Sequence, residues 1–358
     1  MFVSALGAIT GKSNRLGFKP ATRVCVILVD GLGAENIRRG AGHAPFLNAA
    51  LKGSKSVNTV FPTTTAAAIT SFGVGAQPGV HGVFGYSVYE RSTDKVRNLL
   101  SGWDSEFTPA DFQQLPSVAS SAAEHGVKAY TVGPAEYSDS GFTNLNMSGA
   151  EYRPAKTFGA RVSETKAILS AKHKSLTYLY FPELDSIAHA YGVNSTAWLT
   201  KLEDLDAAFR ELVSDLPNGA AVVLTADHGV VDVKYENQIL LDEFELTGLL
   251  SVTGDPRNCF LYFESQSDAA VAKAKLADQL EGRAMVCTPL ELKAAGWLSH
   301  EVANGEFLPD LFVISEEGYA CYHRGFAKPQ SLKMVGQHGG ISQTELSVPL
   351  LKFGEFAN

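Results

Sequence analysis

Cysteine is scarce in this chain: Cys25, Cys259, Cys287 and Cys321 are spread over 358 positions. None forms a CxxC pair and each falls in or beside an apolar stretch, which argues against a thiolate metal site and for buried free thiols in a reducing compartment. Long apolar runs are missing too. No segment approaches the length of a membrane span, and Met1 to Arg23 has no sustained apolar core behind a basic start, so no signal peptide is expected. Positive charge is in deficit, 30 Lys and Arg against 38 Asp and Glu, for a net charge of -8. That balance argues against a general affinity for nucleic acid polymers or anionic membranes. It leaves an anionic small molecule open, because bound cations reverse the local sign. Internal repeats and low-complexity tracts are also missing. The expected location is the cytoplasm, and none of these features speaks to oligomeric state.

What is present fits one large α/β domain with a smaller insertion: 45% hydrophobic and 19% charged residues over a length that supports a sizeable core. The boundaries expected are a catalytic domain over 20–236 and 301–355, a small α+β cap over 237–300, and an N-terminal extension over 1–19. Residues 24–29, 175–181 and 222–225 read as buried parallel strands. Residues 312–314 are expected to return to the core after the insertion. Ser195 to Leu216 carries apolar residues every three to four positions and reads as a long helix on the sheet.

Each core strand stops at chemistry. Asp30 follows the first strand, and Asp227-His228-Gly229 follows 222–225. Ligands of open parallel sheets gather at the carboxyl ends of strands. Adjacent oxygen and nitrogen donors suit Zn²⁺ or Mn²⁺, although a helix cap at Asp30 and a polar turn at Asp227 are equally ordinary roles. After the 175–181 strand, Asp185 and His189 lie four apart, which puts both on one face of a helix as half a metal site. His338 stands in Gly336-Gln337-His338-Gly339-Gly340, where glycines let the backbone bend around it. Thr63-Thr64-Thr65 precedes the Ala-rich stretch 66–68. Threonines there are common N-caps, and they are also placed for a hydroxyl nucleophile at a helix N-terminus, where free N–H groups favour a phosphoryl anion. The aromatic stretch 84–116 suits core packing or the wall of a substrate cleft.

The ordered set Asp30, the threonine patch, Asp185-xxx-His189, Asp227-His228 and His338 resembles the alkaline phosphatase superfamily. Within it, Glu-Leu-Asp-Ser-Ile-Ala-His-Ala-Tyr-Gly, Thr-Ala-Asp-His-Gly and Gly-Gln-His-Gly-Gly look like motifs of the type I phosphodiesterase/nucleotide pyrophosphatase family. The resemblance implies an alkaline-phosphatase-like, mostly parallel sheet flanked by helices. It implies two divalent metal ions, zinc first and manganese second. One would be held by Asp185, His189 and His338, the other by Asp30, Asp227, His228 and the nucleophile oxygen. In the resembling families the nucleophile sits ten residues before the glycine that closes its helix; from Gly75 that position is Thr65, with Thr64 in reserve. The activity implied is hydrolysis of a small phosphate ester or pyrophosphate through a phosphothreonine. A phosphonoacetate-type phosphonate hydrolase and a non-catalytic metal-stabilised binding protein are the other expectations.

Overall fold

The computed structural model describes residues 1–357. Its organising layer is a seven-stranded sheet. The strands are β1 (Arg23–Val29), β2 (Lys55–Asn58), β3 (Lys128–Gly133), β4 (Glu151–Pro154), β5 (Ser175–Phe181), β6 (Ala220–Thr225) and β7 (Ser347–Gly354). They lie in the order β2-β7-β6-β1-β5-β3-β4. β1 runs parallel to both β5 and β6, and β3 runs parallel to β5 and β4. Only β7 reverses, pairing antiparallel with β6 and β2. The architecture is therefore the mostly parallel, alkaline-phosphatase-like α/β sheet that the resemblance implied.

The apolar runs explain the arrangement. β6 is buried at every position and β1 at all but Arg23, as strands covered on both faces must be. One face is covered by helices that include Thr196–Val213, whose Trp198, Leu202, Leu205, Phe209 and Leu212 are all buried. The other face is covered in part by the helix Phe2–Thr10, whose Phe2 ring stacks on Phe72 at 4.6 Å. Residues 1–19, expected as an extension, thus contribute a packed helix. Its burial follows from Phe2, Ala5, Ala8 and Ile9 sharing one helical face.

A second, four-stranded antiparallel sheet holds Leu249–Asp255, Asn258–Phe263, Leu311–Ser315 and Ala284–Cys287, in that order across the sheet. Phe312, Val313 and Ile314 therefore pair with Phe260, Cys259 and Asn258, and not with the central sheet as expected. A short apolar run specifies burial but not the neighbour it pairs with, and this strand finds antiparallel partners in Asn258–Phe263 and Ala284–Cys287. The aromatic stretch after residue 84 fills the seam. Phe84, Tyr89, Phe107 and Phe112 share one core with Phe260, Tyr262 and Phe312. All four cysteines are free and buried. Among the described residues no helix is long and apolar enough to cross a membrane.

Candidate metal and nucleophile centre

Three adjacent parallel strands deliver the centre from one edge of the sheet. Asp30 directly follows β1, Asp227 and His228 follow β6, and β5 leads through Pro182 into the helix Glu183–Tyr191 that carries Asp185 and His189. Because β1 lies between β5 and β6, its end faces both neighbours, the crevice where open α/β sheets bind ligands. Gly31 turns the chain there with φ 72°, and its N–H donates to Asp227 Oδ1 at 3.1 Å. Gly229 is required after His228 because a Cβ there would meet the Thr344 carbonyl oxygen at 2.0 Å.

His338 arrives from farther along the chain. The short strand Gly336–Gln337 pairs antiparallel with Val231–Asp232, just past His228. Gly339 then bridges to Thr63. Thr63 leads into the helix Thr65–Val74, with Thr64 as an extended N-cap whose side chain makes no capping bond. Thr64 Oγ1 instead donates to Asp255 Oδ1 at 3.3 Å, whereas Thr65 Oγ1 lies 3.1 Å from His228 Nε2 and 3.5 Å from Asp30 Oδ1. Of the two candidate nucleophiles, Thr65 is the one among the acidic and imidazole side chains.

The remaining residues form two groups, Asp30-Asp227-His228 and Asp185-His189-His338, each with its donor atoms within 4.8 Å of one another. In the first, His228 Nε2 is 3.5 Å from Asp30 Oδ1 and 3.4 Å from Asp227 Oδ2. In the second, Asp185 Oδ2 is 3.1 Å from His189 Nε2 and its Oδ1 is 3.9 Å from His338 Nε2. The His228 and His338 rings stack at 3.7 Å, which joins the groups into one centre.

The hydrogen bonds on the far side of each ring set the protonation. Nδ1 of His189, His338 and His228 faces the carbonyl oxygens of Gly336, Thr63 and Gly229 at 2.7, 2.9 and 3.3 Å. A carbonyl only accepts, so Nδ1 carries a proton and, in the neutral ring, Nε2 presents its lone pair inward. Three lone pairs then converge on carboxylate oxygens, of which Asp185 Oδ1 and Asp227 Oδ2 are buried without a hydrogen-bond partner. Lone pair facing lone pair is repulsive unless a cation lies between. The donors are oxygen and nitrogen only, a set suited to zinc or manganese. The residues present therefore fit two divalent ions.

The electrostatics of the two groups differ. Burial pushes the Asp30 carboxyl well above the usual range, reinforced by the charges of Asp227 and Asp185 and only partly opposed by Tyr180. Burial likewise raises Asp227. Asp185 differs: burial raises it, but the imidazoles of His189, His338 and His228 outweigh that and hold it low. Burial, then the neighbouring His228, drives His338 well below the ordinary imidazole value.

Several contributors were not visible as site residues in the sequence. Tyr180 Oη donates to Asp30 Oδ2 at 2.5 Å. Its signal was strand alternation, since Tyr178 and Tyr180 share a face two residues apart on β5. Asp255, on the hairpin between two strands of the small sheet, is buried beside Thr64, and burial lifts it to about 7. In sequence, Asp255-Pro256 reads as an ordinary turn.

The family profile of type I phosphodiesterase / nucleotide pyrophosphatase matches residues 24–341. No curated protein matches the chain in sequence. Among solved structures, murine ectonucleotide pyrophosphatase/phosphodiesterase 5, an inactive threonine-to-alanine variant in complex with AMP, superposes with a TM-score of 0.71 at 18% identity, over 93% of this chain and 88% of that one. The human protein of the same name gives 0.70 at 16% identity, over 92% and 87%.

Proposed function

The chain belongs to the type I phosphodiesterase/nucleotide pyrophosphatase family of the alkaline phosphatase superfamily and is a phosphate ester hydrolase of that type; from this premise we propose that it works with two divalent ions and Thr65 as the covalent nucleophile. The observation that carries the reading is the position of Thr65 Oγ1, 3.1 Å from His228 Nε2 at the first turn of its helix. That a threonine-to-alanine variant of the murine relative is inactive supports it.

Asp30, Asp227, His228 and Thr65 would hold one ion; Asp185, His189 and His338 would hold the other. Such ions, zinc before manganese, acidify a hydroxyl or a water and neutralise phosphoryl oxygens. The residues do the rest. The Thr65 oxygen attacks phosphorus, the P–O bond to the alcohol breaks, and the alcohol leaves with a proton. Water then attacks the phosphothreonine and returns Thr65 to its hydroxyl. The N–H groups at the start of the Thr65–Val74 helix face the transferred phosphoryl group and favour its negative charge. Tyr180 holds Asp30, and the three backbone carbonyls hold the imidazoles, so little reorganises during the reaction.

The test is release of nitrophenol from bis-p-nitrophenyl phosphate by protein supplied with zinc or manganese, against protein treated with chelator. Release that disappears with chelator and returns with metal is expected. No release under any metal condition would remove the reading in favour of a binding protein. Cleavage of phosphonoacetate in preference to esters would move it to the phosphonate hydrolases.

A further inference from the structure

A cavity of about 520 Å³ opens beside Thr65, Asp30 and Asp185 and reaches the helix Gly141–Met147. Its walls are aromatic: Trp103, Tyr137, Phe142, Tyr152 and Tyr180. The Tyr152 hydroxyl is engaged by the Pro134 carbonyl and that of Tyr180 by Asp30, so both offer the pocket their rings. The rings of Tyr137 and Tyr180 lie 6.0 Å apart, inclined at 57°. Among the described residues no lysine or arginine lines the space.

Two of the residues that line the cavity carry unpaired polar atoms. Thr131 Oγ1 and Asn146 Oδ1 are buried without partners, on residues 3% and 1% exposed. The Asn146 Nδ2 donates to the Phe142 carbonyl at 3.0 Å, which leaves Oδ1 an acceptor. An acceptor buried without a donor is costly, so the pocket suits a ligand that brings N–H or O–H groups. Three carboxylates touch the cavity. Asp30 and Asp185 belong to the ion-binding groups, and Glu136 stands apart from them, exposed. Away from the ion-binding groups, a second phosphate or a carboxylate would meet no cationic side chain. A positive charge would meet ring faces and a carboxylate.

We infer that the organic half of the substrate is a small cationic amino alcohol, its ammonium held against the faces of Tyr137 and Tyr180 within reach of Glu136. This rests on the phosphate ester hydrolase reading and names the substrate class for it. A nucleoside would stack on the same rings, but it would leave the absence of lysine and arginine and the presence of Glu136 without consequence. The same head group occurs on free phosphorylated amino alcohols and on phospholipids.

The test uses four monoesters that share the phosphoryl group: phosphoethanolamine, phosphocholine, 3,3-dimethylbutyl phosphate (the uncharged isostere of phosphocholine) and AMP. Their binding to zinc-treated Thr65→Ala protein is measured by calorimetry, so turnover does not intervene. Phosphocholine is expected to bind about tenfold or more tightly than the isostere, in the range of a desolvated cation–π contact plus a carboxylate, and phosphoethanolamine, whose ammonium also brings N–H groups, at least as tightly as phosphocholine. Glu136→Gln or Tyr137→Leu should cut that ratio by at least about threefold. Equal binding of the isostere, tighter binding of AMP, binding of none of the four, or a ratio untouched by both variants would each overturn the inference. Vesicles of phosphatidylethanolamine assign the source: cosedimentation that phosphoethanolamine displaces marks the lipid head group, and its absence marks the free ester. Zinc-dependent release from bis-p-nitrophenyl phosphate by the wild-type chain runs alongside. If it fails while the charge preference holds, the hydrolase reading falls alone; if it succeeds without the preference, this inference falls alone.

Discussion

Two of the buried groups of charged side chains in this molecule are built in opposite ways. Arg257 and Glu345 are both fully buried and form a two-bonded pair, Nε to Oε1 at 3.0 Å and Nη2 to Oε2 at 2.6 Å. Further bonds surround the pair. Arg257 Nη1 donates to the carbonyls of Glu316 and Tyr319, and Glu345 accepts from Gly340 N–H and Ser342 Oγ. Accordingly the Glu345 carboxyl lies below its ordinary value: burial raises it, and Arg257 more than reverses that. The Asp30, Asp185, Asp227 group keeps orphaned oxygens on Asp185 and Asp227 and raised carboxyls on Asp30 and Asp227. A closed group holds the fold; an open group waits for a ligand. The closed pair also serves the open one, because Glu345 clamps Gly340, two residues from His338.

The contrast breaks most sharply at Thr65. Thr65→Ala removes the proposed attacking oxygen, which contacts His228 and Asp30 of the open group, and leaves the closed pair intact, so turnover is expected to fall by about 10⁴-fold or more while the fold persists. Zinc bound per chain, by elemental analysis, should stay near the wild-type value, since six protein ligands remain. Wild-type-like turnover would pass the role to Thr64 or to a water.

Next in size is the effect of opening the closed pair. Glu345→Gln leaves the Arg257 cation buried without its counter-charge and is expected to cost about 3–5 kcal/mol in denaturant unfolding. The same kind of change in the open group should go the other way. Asp30→Asn relieves repulsion with Asp227 and Asp185, so metal-free protein should gain about 0.5–2 kcal/mol while zinc-dependent turnover is lost. Equal destabilisation by both variants would erase the distinction.

The ease of reading the two groups from sequence also differed. Asp30, Asp185, His189, Asp227 and His228 follow strands whose apolar runs are unbroken, so the strand ends and their polar termini are local features. His338 needed its glycines. The closed pair had no such signature. Arg257 lies in a hairpin turn and Glu345 at the third position of a capping box after Ser342, and each looks ordinary until long-range folding joins them. The same holds for the β7 pairing and for Leu311–Ser315, where pairing across the chain decides which sheet a strand enters. The aromatic pocket was half legible. Its residues stood out as aromatic, but which face the cavity depends on the seam between the two sheets.

A smaller effect is expected at Tyr180, the residue that partly closes the open group. Tyr180→Phe keeps the ring and its stacking on Tyr178 at 5.8 Å but removes the hydrogen bond to Asp30. That bond favours the ionised carboxylate, the form that binds metal. Zinc affinity measured against a chromophoric chelator should weaken about tenfold, with half-saturation moved to higher pH. Unchanged affinity would make Tyr180 a pocket wall and nothing more.

The finest test lies within one hairpin. Asp255 and Arg257 are two residues apart, the first facing the open group and the second closing the other. Burial lifts Asp255 to about 7, only partly opposed by the Tyr86 N–H, His228, Thr64 and His189. An unfolded aspartate titrates near about 3.9. Between those values the native chain holds a proton that the unfolded chain has released, so the Asp255 contribution is full below about 4 and is lost as pH rises through about 7. Glu345 has the opposite sign. Its folded value is depressed, so its contribution is present above the unfolded value of about 4.3 and is lost as pH falls through the folded one. Whole-protein curves mix these with buried histidines such as His81, which burial lowers to about 3 and which destabilises the fold as pH falls. Differences between variants isolate the two groups. In chelator, the Tm of Asp255→Asn minus that of wild type should climb between pH 5 and 7.5, while the deficit of Glu345→Gln should shrink only below about pH 4. Parallel curves for the two variants would mean that the hairpin carries one electrostatic environment, not two.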